Sequence, residues 1–395
     1  MDSFGKIVML NGIDEQLIRG EKIKSARIYR ELSQAELAEC LDVTKQAISR
    51  YENNKSQMSS EVIARLPGAL GFPIRYFTKN EDKQPKEQSI VYFRTKNIPK
   101  KTKEHLATKI RLLDEEIMTY YRKYIGFPEI NFPDLTEYIT RGKCNYSRED
   151  ICAITKEIRE HWGLGDEPIV NLAYVLQSNG IILSKQYINQ DKTDGLSQWI
   201  QNTPYIFTSS DKESAVRSRF DNAHELGHLV MHRYVDEEEQ GSKVIEKDAD
   251  YFASQFLYPN DMFIKDIRGC SLSLETFIGL KEKWRISIQA IIRKCIDLEL
   301  ISEDKYIYFQ KKISYKGWRK KEPLDNILTV EEPRLLKDAT ELLIENNVIT
   351  KQDILNGVAL YKNDIVELCN LPSDYFTEKV SDIIKFTDGK LGRKQ

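Results

Sequence analysis

The stretch Asp221–His232 reads D-N-A-H-E-L-G-H-L-V-M-H, and it constrains the chain more than any other. Of five histidines in 395 residues, three (His224, His228 and His232) stand here at intervals of four. On an α-helix, residues four apart lie above one another on one face. His224 and His228 can therefore aim their imidazoles at one point, with Glu225 about a quarter-turn round. A zinc ion takes imidazole and carboxylate ligands at about 2.0–2.2 Å and keeps one position open for water. H-E-x-x-H on a helix supplies two of those ligands and a general base for hydrolysis.

The motif fixes only three positions, so its surroundings decide. Upstream, Ser210-Asp211-Lys212-Glu213 is an S-x-x-E capping box that predicts a helix start. Val216, Phe220, Ala223, Gly227 and Val230 then recur at helical spacing. Glycine inside a helix costs about 1 kcal/mol relative to alanine, so Gly227 implies close backbone approach. Downstream, Ala249, Phe252, Ala253, Phe256 and Leu257 form an apolar helical stripe ended by Pro259. Glu246 falls on that stripe, where a carboxylate is costly unless paired or metal-bound. It is the expected third ligand, with Asp250 as partner to a ligating imidazole. His232 lies two turns from His224, about 12 Å along the axis, too far to share one ion with both others. Glu237, Glu238 and Glu239 read as a solvated acidic turn.

Length predicts two or three domains, and 41% hydrophobic with 30% charged residues describes an ordinary globular chain. With a net charge of −2, no global field favours nucleic acid, so any basic surface must be local. No run of 18 apolar residues and no signal-type apolar core occurs, so we expect a cytoplasmic protein without a membrane span. The six cysteines are scattered with no C-x-x-C pair and read as reduced thiols, not zinc ligands.

From Glu21 the pattern is densely helical. Ile23, Ala26, Arg27 and Leu32 suggest a first helix. Ser33-Gln34-Ala35-Glu36 is a capping box opening a second, and Thr44 caps a third, T-K-Q-A-I-S-R-Y-E, stopping at Asn53-Asn54. Two short helices joined by a tight turn give the helix-turn-helix layout, whose second helix enters the major groove. With Val43 and Ile48 in the core, Thr44, Lys45, Gln46, Ser49 and Arg50 face solvent. Gln and Arg are suited to bidentate reading of adenine and guanine edges. Phosphate affinity is expected from Lys24, Arg27, Arg30, Lys55 and Gln34.

The stretch L-S-Q-A-E-L-A-E-C-L-D-V-T-K-Q-A-I-S-R-Y-E-N resembles the Xre-type helix-turn-helix of phage-repressor-like regulators over about Glu21 to Phe77. Asp42 stands where that family's turn usually carries glycine. The second stretch, R-S-R-F-D-N-A-H-E-L-G-H-L-V-M-H followed by E-K-D-A-D-Y-F-A-S-Q-F-L-Y-P, resembles the ImmA/IrrE family of metallopeptidases. That family's pattern maps onto His224, Glu225, His228 and Glu246. The resemblance implies a peptidase that cleaves or otherwise inactivates a helix-turn-helix repressor.

The fold class expected is multidomain and mainly α. An all-α helix-turn-helix spans 20–78, a linker and helical connector 79–146, and a central α+β zincin-like domain 147–265. A second helix-turn-helix-like segment follows at 266–310, then a helical region at 311–395 whose role is not readable. Residues 80–89 read as linker, and 90–125 as helical and basic, with Arg94, Lys96, Lys100, Lys101, Lys103, Lys109 and Arg111 on a solvated face or against phosphates. Short strands are expected at 180–184, 196–200 and 205–208, with an edge open to an extended peptide. The expected function is a DNA-binding regulator, dimeric on its operator, with a Zn2+-dependent endopeptidase acting on a repressor or on itself. Two alternatives stand beside it: a zinc domain that senses or dimerises without cleaving, and a stress- or phage-triggered defence protease.

Overall fold

The computed structural model describes residues 18–78, 91–93, 99–186, 195–210, 214–235, 242–377, 386–387 and 390–391. Five helices open it: α1 (Gly20–Tyr29), α2 (Gln34–Leu41), α3 (Lys45–Glu52), α4 (Ser60–Leu70) and α5 (Ile74–Thr78). Local chemistry sets their ends. Ser33 and Glu36 close a reciprocal capping box on α2, and the Thr44 hydroxyl accepts from Ala47 N–H on α3. Asp42 takes the left-handed conformation at φ 55°, which its short polar side chain tolerates. Gly20 lets α1 cross α3 closely, because a Cβ there would sit 2.2 Å from the Tyr51 carbonyl oxygen.

Strand β1 (Val91–Phe93) follows, within the 90–125 stretch that the sequence reading made helical. This is a correction: a β-branched and aromatic run finds a partner strand more than 100 residues away. Helix α6 (Lys100–Leu112) continues through a π-turn at Leu113–Met118 into α7 (Thr119–Tyr121). Lys109 is buried and paired with Glu367 at 2.5 Å, and Arg111 donates to Ser25 Oγ at 2.9 Å. Lys109 is therefore not on a solvated face, while Arg111 stays half-exposed. The linker at 80–89, Arg94, Lys96 and Glu237 to Glu239 lie outside the described residues.

The central region comprises α8 (Arg148–His161), α9 (Leu172–Ser178), β2 (Ile182–Gln186), β3 (Gly195–Ile200), β4 (Thr203–Ser209), α10 (Ala215–Met231) and α11 (Lys243–Leu257). The sheet order is β1-β3-β4-β2, with β2 parallel to β4 and the other pairs antiparallel. Ser210 does not start α10. Its N–H bonds the Gln186 carbonyl at 2.9 Å, extending the β2–β4 ladder, and α10 begins at Ala215. The other members of that sequence box, 211–213, lie outside the described residues. Beyond the sheet run α12 (Asn260–Ile267), α13 (Leu274–Trp284), α14 (Ile288–Asp297) and α15 (Glu303–Tyr315). The chain ends in α16 (Leu335–Glu345), α17 (Lys351–Gly357) and α18 (Lys362–Leu368).

The sheet divides two cores, because strand side chains alternate between faces. Ile182, Leu196, Tyr205 and Phe207 join α1–α7 and the C-terminal helices. Leu183, Trp199 and Ile206 join α8–α11 and α13–α15. The C-terminal helices therefore pack on the N-terminal ones, where Arg30 forks onto Asp364 at 2.6 and 2.7 Å. Lys22, paired with Glu115, is likewise interior.

In the second core Lys294 is buried, with Ser254 Oγ at 3.4 Å and Cys152, Cys295 and Asp297 nearby. Burial pushes its ammonium down to about 7. The unfolded value is about 10.4, so between these pH values the unfolded chain holds a proton the native chain lacks. Stability rises with pH across that window and is reduced at pH 7 and below. Lys294→Met should stabilise the chain at pH 7 by roughly 2–5 kcal/mol. Denaturant titration at pH 7 and pH 9.5 checks it: the gain must shrink at the higher pH, and an equal gain would mean the ammonium is solvated.

Candidate metal centre

Helix α10 carries the H-E-x-x-H residues in its last turns, and α11 crosses it closely. Gly227 permits the approach, since a Cβ there would stand 3.1 Å from the Phe252 ring. The crossing brings Glu246, in the first turn of α11, opposite the two imidazoles. His224 and His228 Nε2 are 3.1 Å apart, and the Glu246 carboxylate oxygens stand 3.4 Å from the first and 3.6 Å from the second. A tetrahedral site with arms of about 2.0–2.1 Å has edges of about 3.3–3.4 Å. The three separations scatter around that value.

The outer nitrogens show why a cation fits. His224 Nδ1 stands 2.9 Å from Asp250 Oδ1, so its proton belongs on Nδ1 and the Nε2 lone pair faces inward. His228 Nδ1 stands 3.0 Å from His232 Nδ1, and the same holds when His228 is the donor. His232 is fully buried and packs edge-on to Tyr146, and burial beside His224 pushes it down to about 3, keeping it neutral. Two imidazole lone pairs and a carboxylate then converge. A divalent cation relieves the repulsion among them.

Glu225 lies one residue round the helix, fully buried, and its Oε2 accepts from Ser197 Oγ at 2.7 Å. Gly195 completes that side: a Cβ there would lie 3.1 Å from Glu225 Oε1. Trp199 Nε1 donates to the Leu229 carbonyl at 3.0 Å, so β3 lies along α10 through alternate residues.

Residues 177–295, which hold the three donors, Glu225 and Ser197, match the family model described as IrrE N-terminal-like domain. Residues 23–77 match the model described as Helix-turn-helix. The chain is a helix-turn-helix domain fused to an IrrE/ImmA-like peptidase domain. No curated protein matches it. Among the described residues, no helix is long and apolar enough to cross a membrane.

The IrrE/ImmA-like domain thus brings together His224, His228 and Glu246 as a triad able to coordinate a metal ion. Asp250 and Glu225 stand beside it. Ser197 escaped the sequence reading, for its 28-residue separation from Glu225 leaves no local pattern. The contact of His232 with His228 follows from the same four-residue spacing. Four residues that the sequence offers for steadying a developing oxyanion, His232, Tyr234, Tyr251 and Arg219, are placed differently: His232 is buried beside His228. Tyr251 is tied to Cys152 and Asn260, Arg219 is buried against Glu331, and Tyr234 is exposed.

In the helix-turn-helix domain, Thr44, Lys45, Gln46 and Arg50 are exposed and Ser49 is half-buried. Gln34 is also half-buried, its amide donating to Glu52 at 2.8 Å. Arg27 pairs with the same Glu52. The guanidinium expected on phosphates is holding α1 to α3 instead, because Glu52 is buried and needs a counter-charge.

Proposed function

We propose that the chain is a DNA-binding regulator whose peptidase domain is a zinc-dependent endopeptidase cleaving a helix-turn-helix repressor protein. The observation that carries this reading is Glu225 set beside three converging donors. A purely structural zinc site closes with four protein ligands, whereas the cluster found among the described residues has three. Zinc, when bound, supplies Lewis-acid polarisation and a water of pKa about 7. His224, His228 and Glu246 would hold it, and Asp250 and His232 orient the imidazoles. Glu225 takes the proton of the attacking water and passes it to the leaving amine. Ser197, donating to one carboxylate oxygen, would hold the Glu225 side chain in place for that transfer.

The helix-turn-helix domain would bring the peptidase to an operator as a dimer on half-sites about 34 Å apart. Thr44, Lys45, Gln46, Ser49 and Arg50 would contact it through α3, with Gln34 beside them. Arg50→Ala or Gln46→Ala should each cost about 1–3 kcal/mol of operator affinity and relax preference at one base pair. Fluorescence titration on operator variants at fixed salt checks this; equal loss on every sequence would reduce the residue to a phosphate contact. The peptidase reading is tested by mass spectrometry of repressor-like proteins incubated with the zinc-loaded chain, with and without chelator. Chelator-sensitive internal cleavage is expected, and intact substrate throughout would leave a metal-holding regulator without hydrolase activity.

A further inference from the structure

Strand β3 borders the metal centre. Gly195, Ser197 and Trp199 turn the same way, toward α10, and two of them meet Glu225. One edge of β3 is paired with β4 over its six residues. The other edge carries β1, antiparallel, with Val91 opposite Gln198, Tyr92 opposite Ser197 and Phe93 opposite Leu196. The middle residue of this short strand thus sits across from the residue that touches the general base. At the far edge of the sheet, β2 lies two strand spacings away, about 10 Å, and Asn370 already bonds the Lys185 backbone there.

An endopeptidase must hold a protein substrate extended, and a strand edge does so through main-chain hydrogen bonds whatever the side chains. The edge beside Glu225 is the outer edge of β3. We infer that this edge is the docking site for the extended polypeptide substrate, and that Val91–Phe93 occupies it in cis. The inference rests on the peptidase reading above for its consequence, but the occupancy itself is a matter of binding. β1 spans three residues against the six of β3, so an incoming chain pairing along all of β3 forms more backbone bonds and displaces it. In chain order β1 lies between α5 of the helix-turn-helix domain and α6.

A segment seated nine-tenths of the time weakens any competitor about tenfold. The test uses the full chain, zinc-loaded and carrying Glu225→Gln, and a labelled synthetic peptide of residues 88–97 read by fluorescence anisotropy. Tyr92→Pro removes an N–H and disfavours the ladder. The peptide should bind this variant at least about tenfold more tightly than the parent. Phe93→Pro is the companion variant, because successive N–H groups of a strand point to opposite sides and only one of these two faces β3; circular dichroism and zinc stoichiometry should be unchanged in both. Hydrogen exchange on the unaltered chain gives a second reading independent of any substitution: the β3 amides that face β1 should be protected in the free chain, and excess peptide should extend protection to the part of β3 that β1 leaves uncovered. Equal peptide affinity in parent and variants, or fast exchange at those amides, overturns the inference. Hydrolysis separates the two claims. With Glu225 intact, cleavage without a binding difference removes only the occupant, and a binding difference without cleavage removes only the peptidase.

Discussion

Glu225→Gln should leave zinc bound and lower hydrolysis of the protein substrate by about 10²–10⁴-fold. The size follows from what the substitution removes. Gln is nearly isosteric, and its amide oxygen can still accept from Ser197, so the buried side chain keeps its place 2.7 Å from that hydroxyl. What it loses is the ability to take a proton from water. The three metal-facing donors are untouched, since they come from His224, His228 and Glu246. The measurement is single-turnover cleavage, with metal content determined on the same preparation. Wild-type turnover in the variant would remove Glu225 as the base, and loss of zinc together with activity would show that it serves the metal instead.

His228→Ala should weaken zinc binding by at least about 100-fold, more than the roughly 10–100-fold expected when a supporting residue such as Asp250 is replaced. The ordering is the prediction. A ligand removed from a three-donor site leaves two, and the vacated space stands between His224 and the now unopposed His232. Asp250→Ala leaves all three donors present and only frees His224 to rotate or to exchange its tautomer. Metal competition titration gives both values without reference to activity. Should Asp250→Ala equal or exceed His228→Ala, the assignment of inner and outer roles would be reversed.

The local part of this architecture was readable along the chain. Ser33 with Glu36 and Thr44 before α3 cap their helices, because a cap is settled within three residues. The pairing of His224 with His228 needed only the helical repeat. Glu246 was reached by a further step, from the cost of a carboxylate on an apolar stripe. Where long-range partners competed, the local reading failed. The Ser210 capping box lost to the ladder that bonds Ser210 to Gln186, and Arg27 and Lys109 were drawn from solvent to partners inside the fold.

Residue types and spacing alone therefore determined the helix-turn-helix layout, the paired imidazoles and the acid expected to join them, since each rests on interactions within a turn or two of helix. Only the tertiary structure decided which strand borders Glu225, that Val91–Phe93 lies along it, and that the C-terminal helices close over the N-terminal ones through Arg30 and Asp364. Those contacts join residues up to 334 positions apart. Hydrogen bonding and burial choose such partners by proximity in the folded chain, and proximity of that kind leaves no periodicity in the sequence.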